Sequence, residues 1–547
     1  MNDFDEKIRD YNARCYQKSG FTHKLTFWKD SFDSIPVYDP EKNGHMVSFD
    51  VPEGFSQVEW YWVDEPYVYI NILEKSGLKY YHVVEPTLSA YEKEILERTY
   101  NDLKDILTLN DIQEDCDREV ILVIKALNLF KRYHVPLDVR SKYKILYFLR
   151  RNFLGFGRIN ALMMDPYIED ISCDGVDIPI YLYHMKYLNI KTNISFNEEK
   201  LNSFVITLCQ RSGKHISISE PLVDATLPDG SRLQATLGRE ITTRGSSFNV
   251  RKFRGDPITP IDLIKFGTCS LEMMVYFWMA IENGFSAIFA GGTASGKTSM
   301  LNAVSLFIPP LSKIVSIEDT REIMLYHDNW IAGVTRSPIS KTGMGEVSMY
   351  DLLKSALRQR PETIIVGEVR GKEALTLFQA LSTGHTTYST MHAGDVQTAV
   401  NRLQNEPINV PRVMLQSLDI LCIQKQVFVG DKRVRRTGSI VEFSGIDPKS
   451  GDLIINELYQ WDPAKDFFNR NGYSYVLKRI VQKRGWTEEM LQNEIENRLK
   501  ILEYLLKNNI RGCVQISTLV KQYSTSPDAV MDSIEHETLE DLLESSL

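Results

Sequence analysis

No two cysteines of this sequence stand in a C-x-x-C pair. The seven, at positions 15, 116, 173, 209, 269, 422 and 513, are odd in number and scattered. That excludes a structural zinc module built from such pairs and a disulfide framework, and it fits a reducing compartment. Long apolar runs are missing too. The longest, Met273 to Ile281, falls far short of the ~20 residues needed to cross a bilayer. The opening "MNDFDEKIRDYNARC" carries acids where a signal peptide needs a basic end and an apolar core, so the expected location is the cytoplasm. Positive charge is not in excess either. Lys and Arg number 63 against 72 Asp and Glu, a net charge of −9, which argues against a surface that grips phosphate backbones throughout. There is no tandem repeat and no low-complexity tract.

What remains is a globular composition, 43% apolar and 25% charged, in a chain of 547 residues, too long for one ordinary core. Residues 1–57 are polar and punctuated by Pro and Gly, a loosely organised N-terminal region. Over 58–160 we expect a mixed α/β domain. The segments "WYWVDEPYVYINIL" and "LKYYHVVEP", split by "EKSG" at 74–77, read as a hairpin, and helical periodicity follows from Ser89 to Leu149. Over 161–254, "IPIYLYH", "RLQATL" and "SSFNVRKF" alternate with turns and one helix near Glu198, a second α+β domain. "RGDPITPIDLI" supplies a linker at 255–264. From 265 to 512 apolar strands alternate with helices, which implies a parallel sheet covered by helices. Residues 513–547 form an acidic C-terminal tail. From Gln522 onward they hold seven acids and no Lys or Arg, and read as a solvated appendage or short helix.

"GGTASGKT", Gly291 to Thr298, matches G-x-x-x-x-G-K-[ST]. By chance such a match arises in roughly one chain of this length in fifty, so context decides. The apolar strand at 286–290 precedes it, and the helical run "KTSMLNAVSLF" follows. The cradle is then formed by Gly291, Gly292, Thr293, Ala294, Ser295, Gly296, Lys297 and Thr298. Its glycines let the backbone fold tightly, so that N–H groups at a helix N-terminus face the β-phosphate. Lys297 would reach the β- and γ-phosphates, and Thr298 would place a hydroxyl on Mg2+.

Hydrolysis also needs a second handle on the metal and a group that orients water. "KIVSIEDTRE" ends an apolar strand in Glu318 and Asp319, and "TIIVGEVRG" ends another in Glu368, with Gly-Glu where Asp is commoner. Ligands of an open α/β sheet sit outside the carboxyl ends of its strands, which would bring both acids beside the phosphate loop.

"GGTASGKT", "SIEDTRE", "RPETIIVGEVRG" and "STGHTTYSTMHA", in this order, resemble the four boxes of the type II/type IV secretion ATPases: Walker A, Asp box, an atypical Walker B and His box. "DPYIEDISCDGVDIPIYLYH" and "VEFSGIDPKSGDLIINELYQWDP" are similar to archaeal members, the archaellum motor and archaeal pilus or secretion ATPases. The resemblance spans about residues 60 to 510. It departs from many bacterial assembly ATPases in lacking their four-cysteine zinc module. It implies a RecA-like P-loop motor domain preceded by α+β N-terminal domains. The implied activity is ATP hydrolysis by a Mg2+-dependent homohexamer, working from the cytoplasmic face of the membrane on a polytopic platform protein and pilin- or archaellin-type filament machinery. It also implies roles: Glu318 as general base or water positioner, Glu368 as the Walker B acid near Mg2+. Arginines of the preceding domain would meet the γ-phosphate, Arg232 in "DGSRLQ" and Arg251 in "FNVRKF" first, Arg244 and Arg254 as further candidates.

The two histidines of "LSTGHTTYSTMHAGD" divide. Between them "TTYSTM" reads as a strand, and seven strand steps cover roughly 23 Å with the two side chains on opposite faces. His385 and His392 therefore cannot share one ion. His392, at the carboxyl end, is expected to sense the γ-phosphate, and His385 to hold a neighbouring element or subunit. The run "QKQVFVGDKRVRRTG" gathers Lys425, Lys432, Arg433, Arg435 and Arg436, a solvated face or a surface for anionic lipid or acidic platform loops. Two rival readings are a nucleic-acid translocase of the RecA-like class and a nucleotide-binding scaffold without turnover. The acidic balance and the lack of an aromatic and basic channel argue against nucleic acid, and the full set Lys297, Thr298, Glu318 and Glu368 argues against a dead site.

Overall fold

A computed structural model describes residues 38–106, 118–253, 255, 257–336, 345–430, 432–449 and 452–539. Most of the expected N-terminal region, Cys15, Cys116 and Arg254 lie outside the described residues. The chain divides into two compact units, Met1–Phe253 and Arg254–Leu547.

In the first unit nine strands of the described residues form one sheet. They are β1 (Ser56–Asp64), β2 (Val68–Lys75), β3 (Leu78–Val84), β4 (Ile168–Cys173), β5 (Tyr181–His184), β6 (Leu188–Thr192), β7 (Leu222–Thr226), β8 (Arg232–Thr236) and β9 (Ser247–Arg251). Their order is β1-β2-β3-β6-β5-β4-β9-β8-β7. The first apolar segment, expected as one strand, is two. Pro66 breaks the run, and Asp64 pairs with Val68 across the turn. Between β2 and β3 the central residues Ser76 and Gly77 have φ of 53° and 77°, the left-handed pair that a tight hairpin requires. The boundary expected near residue 160 lies inside this unit. Tyr80 and Tyr81 of β3 pair in parallel with Lys191 and Thr192 of β6, and Tyr61 and Tyr81 both donate to the buried carboxylate of Asp165, at 2.7 and 2.5 Å. Four helices, α1 (Ala90–Ile106), α2 (Arg118–Tyr133), α3 (Val139–Phe153) and α4 (Glu198–Arg211), belong to the same unit, whose core runs from Tyr38 to Val250.

The second unit opens with a helix where a linker was expected. Thr259 caps α5 (Pro260–Lys265) in a reciprocal box with Asp262, and Pro260 occupies the first turn. The apolar run noted above becomes α6 (Leu271–Glu282), buried from Met273 through Ile281. No helix among the described residues is long and apolar enough to cross a membrane. Six parallel strands then form the sheet centre. These are β10 (Ala287–Gly291), β11 (Ile314–Glu318), β12 (Trp330–Val334), β13 (Thr363–Val366), β14 (Thr386–Met391) and the first half of β15 (Ile420–Val429). β16 (Lys432–Ile446), β17 (Leu453–Asp462) and β18 (Phe467–Arg470) extend it antiparallel, giving β12-β11-β13-β14-β10-β15-β16-β17-β18. Alternate residues of β10 go to opposite faces: Ala287 and Phe289 join one core, Ile288 and Ala290 the other. Burial on both faces is why these strands read as unbroken apolar runs.

Helices α7 (Lys297–Ser305), α8 (Met349–Leu357), α9 (Glu373–Ser382) and α10 (Val396–Gln404) alternate with the parallel strands. The chain then returns through α11 (Tyr475–Arg484), α12 (Glu488–Lys507), α13 (Cys513–Thr525) and α14 (Pro527–Glu535). Of the two expected alternatives the segment after Gln522 is a short helix, α14, and it is packed: Ile516, Leu519 and Tyr523 of α13, Val530 of α14 and Leu539 beyond it are buried in the same core as α6. The arrangement is a RecA-like α/β domain that follows, along the chain, an α+β unit.

Candidate active site

The carboxyl ends of β10, β14, β13 and β11, neighbours in that order, bring the expected residues of the second unit into one line. At the end of β10 the chain enters the phosphate loop. Gly291 pairs with Gln424 of β15, and a Cβ on it would stand 2.4 Å from the Gln424 carbonyl oxygen, so only glycine fits. Gly296, with φ of +91°, stands at the N-cap of α7 without a side-chain cap, and its left-handed backbone turns the loop into the helix. The first amides of α7 are thus left to an anion. Ala294 at the loop tip is also left-handed, at φ 57°, and Gly292, Thr293 and Ala294 face solvent. The Ser295 hydroxyl donates to the Gly292 carbonyl at 2.8 Å, and so does the Lys297 ammonium, which lies back across the loop with only 8% of the residue exposed. Thr298 is half-buried in the first turn of the helix.

His392 follows β14, the strand beside β10. Its Nδ1 is 3.5 Å from the Lys297 ammonium and its Nε2 3.3 Å from Glu368 Oε1. Burial first, then the Lys297 charge, holds the imidazole below its ordinary pKa although Glu368 pulls the other way, so the ring is neutral at pH 7. His385 stands at the opposite end of β14, where its Nδ1 meets the Thr383 hydroxyl at 3.2 Å and its amide donates to the Ala380 carbonyl. It closes the C-terminal end of α9.

Glu368 lies just beyond β13. Burial raises its carboxyl, but a 2.6 Å bond from Arg370, helped by His392 and Lys297, outweighs that and keeps it below the ordinary value. Its Oε1 receives no hydrogen bond from the described residues. The Gly that precedes it has a reason: a Cβ on Gly367 would lie 3.1 Å from Cγ of Glu318 on the neighbouring strand.

Glu318, last residue of β11, is 2% exposed. Its Oε1 accepts from the Glu322 and Ile323 amides at 2.8 and 2.9 Å, while Oε2 is buried with no hydrogen bond from the described residues. Burial pushes this carboxyl up to about 7, and the two amides only partly offset it. Asn302 of α7 fixes the segment that supplies those amides. Its side chain donates to the Glu322 carbonyl and accepts from the Met324 amide, so the helix of the phosphate loop also sets the position of Glu318. Asp319 is exposed, taking a 3.2 Å bond from the Thr335 hydroxyl, with Arg370 4.0 Å away.

The two expected arginines belong to the first unit, where they are neighbours. Arg232 of β8 pairs directly with Arg251 of β9, and Arg251 pairs on its other side with Asp170. Arg244 is exposed between these strands in sequence. The basic run is not one surface. Arg436 is buried and bidentate to Asp466, at 2.7 and 2.8 Å; Arg435 donates to the Ala294 carbonyl in the phosphate loop; Lys432 and Arg433 are exposed. Asn302, Arg370 and Arg435 were not anticipated as parts of the site. Arg370 had a signal, standing two residues after Glu368, a spacing that shares a side in extended backbone.

As a chemical arrangement this is a glycine-rich loop ahead of a helix N-terminus, with a lysine lying across it, a carboxylate held below its ordinary pKa beside it, and a second carboxylate raised to about 7. Comparison with known proteins bears on the family of the chain. The PilB3-like N-terminal family matches residues 20–87. The uncharacterized protein MJ0900 of Methanocaldococcus jannaschii is 38% identical over 392 residues, 71% of this chain and 70% of its own length. A second uncharacterized protein of that organism, MJ1287, is 49% identical over 45% of this chain and 92% of its own. Among solved structures, the Legionella pneumophila ATPase DotB is 19% identical and covers 50% of this chain and 76% of its own, with a TM-score of 0.38. The type II/IV secretion system protein family matches residues 184–544, well over half of the sequence, and the chain belongs to that family of secretion ATPases.

Proposed function

We propose that this protein is a hexameric, Mg2+-dependent ATPase that powers an archaellum, a type IV pilus-like filament or type II-like secretion through a polytopic membrane platform protein, from the cytoplasmic face of the membrane. The observation that carries the hydrolytic part is Glu318. Its carboxylate has one oxygen tied to two backbone amides and the other accepting no hydrogen bond from the described residues, at a pKa of about 7. Such a group accepts a proton from water near neutral pH, the property wanted of a general base. The remaining residues fit ATP with its metal. The loop carries a left-handed Ala294 and Gly296 ahead of an uncapped helix, and Glu368 Oε1, 3.3 Å from His392 Nε2, accepts no hydrogen bond from the described residues. The Thr298 hydroxyl and Glu368 would hold Mg2+, which when bound neutralises charge between the β- and γ-phosphates. Lys297 holds its charge over the loop, and neutral His392 links it to Glu368, so a change at the γ-phosphate position is felt at both. Arg232 and Arg251 are proposed to supply positive charge to the γ-phosphate.

The filament reading, in preference to a nucleic-acid translocase, draws support from the PilB3-like match at residues 20–87. Phosphate release by the full-length protein tests the proposal. Turnover abolished by Lys297→Ala and by Glu318→Gln, and indifferent to single-stranded DNA, is expected. Stimulation by DNA in proportion to its length would favour the translocase, and unmeasurable turnover in the assembled hexamer would favour a scaffold.

A further inference from the structure

The hairpin of β15 and β16 touches the phosphate loop at two points. Midway along β15, next to the bulge between Ile423 and Gln424, Gln424 presses against Gly291. Near the tip, Arg435, which pairs with Gln426 in the hairpin, donates from Nε to the Ala294 carbonyl at 3.0 Å. The guanidinium stem lies close: a Cβ on Gly296 would stand 3.3 Å from Arg435 Cδ. Residues 141 positions apart in sequence therefore meet at the one loop residue that is not glycine and yet has left-handed backbone, at φ 57°. That conformation is disfavoured for alanine and persists only where its surroundings hold it.

We propose that Arg435 is a positioning residue for nucleotide binding, a role that rests on the phosphate-loop reading above. A trans peptide places its carbonyl and its N–H on opposite sides. By holding the Ala294 carbonyl, Arg435 fixes the direction of the Ser295 N–H, one of the loop donors facing the phosphates. A cationic donor on the carbonyl also polarises that N–H and strengthens it toward an anion. Arg435 thereby couples the hairpin to the occupancy of the loop. Arg436, turned to the other side of the strand and bound to Asp466, anchors the hairpin independently.

The test is equilibrium titration of the full-length protein with a fluorescent N-methylanthraniloyl-ADP in Mg2+, alongside steady-state phosphate release. For Arg435→Ala we expect affinity and KM to weaken roughly ten-fold, the worth of a charge-assisted bond, while kcat at saturating ATP changes far less. Arg435→Lys should recover part of the loss, and Arg433→Ala, on the same strand but exposed, should bind as the wild type does. An unchanged melting temperature would separate positioning from folding; if Arg435→Ala does not fold, Arg435→Gln carries the same expectation. Unaltered affinity in the Arg435 variants, where Lys297→Ala abolishes binding, would overturn the inference. Absence of Lys297-dependent binding in the wild type would instead overturn the site reading and this inference with it.

Discussion

His392 stands between Lys297 and Glu368, 3.5 Å from the ammonium and 3.3 Å from the carboxylate. One neutral ring thus connects the group that would meet the phosphates to the group that would hold the metal. Removing the ring leaves the cradle amides and Lys297 in place, so binding should survive while the alignment of charge at the γ-phosphate suffers. His392→Ala is expected to lower kcat by about ten- to a hundred-fold with little change in nucleotide affinity. His385→Ala, which removes a contact at the end of α9, should leave turnover near the wild-type value and act instead on the proposed assembly. Paired measurements of phosphate release, nucleotide titration and oligomer mass check both; equal losses of turnover alone would refute the division of roles.

As the proposed base, Glu318 would link turnover to stability through pH. Its folded-state pKa of about 7 lies above the ordinary 4.5, so between those values the folded chain retains a proton that the unfolded chain has released. The neutral acid's contribution to stability is complete below pH 4.5 and is lost as pH rises through 7, a change on the order of 3 kcal/mol. Glu318→Gln carries no such titration. Relative to the wild type its melting temperature should rise between pH 5 and pH 8, while turnover is lost. Wild-type kcat should climb through pH 7 as the carboxylate forms. Melting curves and rate profiles across that range check both signs.

Gly367 should not tolerate even a methyl group. The added Cβ would meet Glu318 Cγ at 3.1 Å, and that side chain cannot swing away because two amides hold its carboxylate. Gly367→Ala is expected to displace Glu318 by a few tenths of an ångström and reduce kcat about ten-fold, with nucleotide affinity kept. A wild-type kcat would show that the strand end yields instead.

The parts of the site that were legible in the sequence share one property: a local signal fixes them. An apolar run followed by Glu318 or Glu368, a glycine loop before Lys297, and a β-branched run before His392 each place a side chain at a strand end without knowledge of the rest. Arg435 and Asn302 had no such signal. Their partners, Ala294 and the segment after Glu318, are 141 and about twenty residues away, and the sheet order decides that they meet. The same holds for the expected boundary near 160, which sits within a sheet closed by the parallel pairing of Tyr80 with Lys191. In the tail, composition points to a solvated appendage or a short helix, and a short helix is what the described residues hold: Asp528, Asp532 and Glu535 are exposed on α14, while Ile516, Leu519, Tyr523 and Val530 are buried.

Those tail helices are held by a buried cation. Arg498 of α12 is 2% exposed; it bonds Glu282 of α6 at 2.6 Å and also pairs with Glu494. Its guanidinium lies 5.3 Å from the Trp278 ring centre and 4.9 Å from that of Tyr523. Tyr523 closes the group by donating to Glu494 at 3.1 Å. One residue therefore joins α6, α12 and α13. Arg498→Ala would leave Glu282 facing an apolar core without its partner, a loss that in buried pairs amounts to about 3–5 kcal/mol. The double change Arg498→Met with Glu282→Gln removes the cation and its Glu282 partner and fills the space, while Glu494, partly exposed, keeps the Tyr523 hydroxyl, so it should recover most of that stability. Urea denaturation followed by circular dichroism is expected to rank wild type, double variant and Arg498→Ala in that order. Were the double variant no better than Arg498→Ala, packing of the guanidinium on Trp278 and Tyr523, rather than its charge, would be what holds the tail.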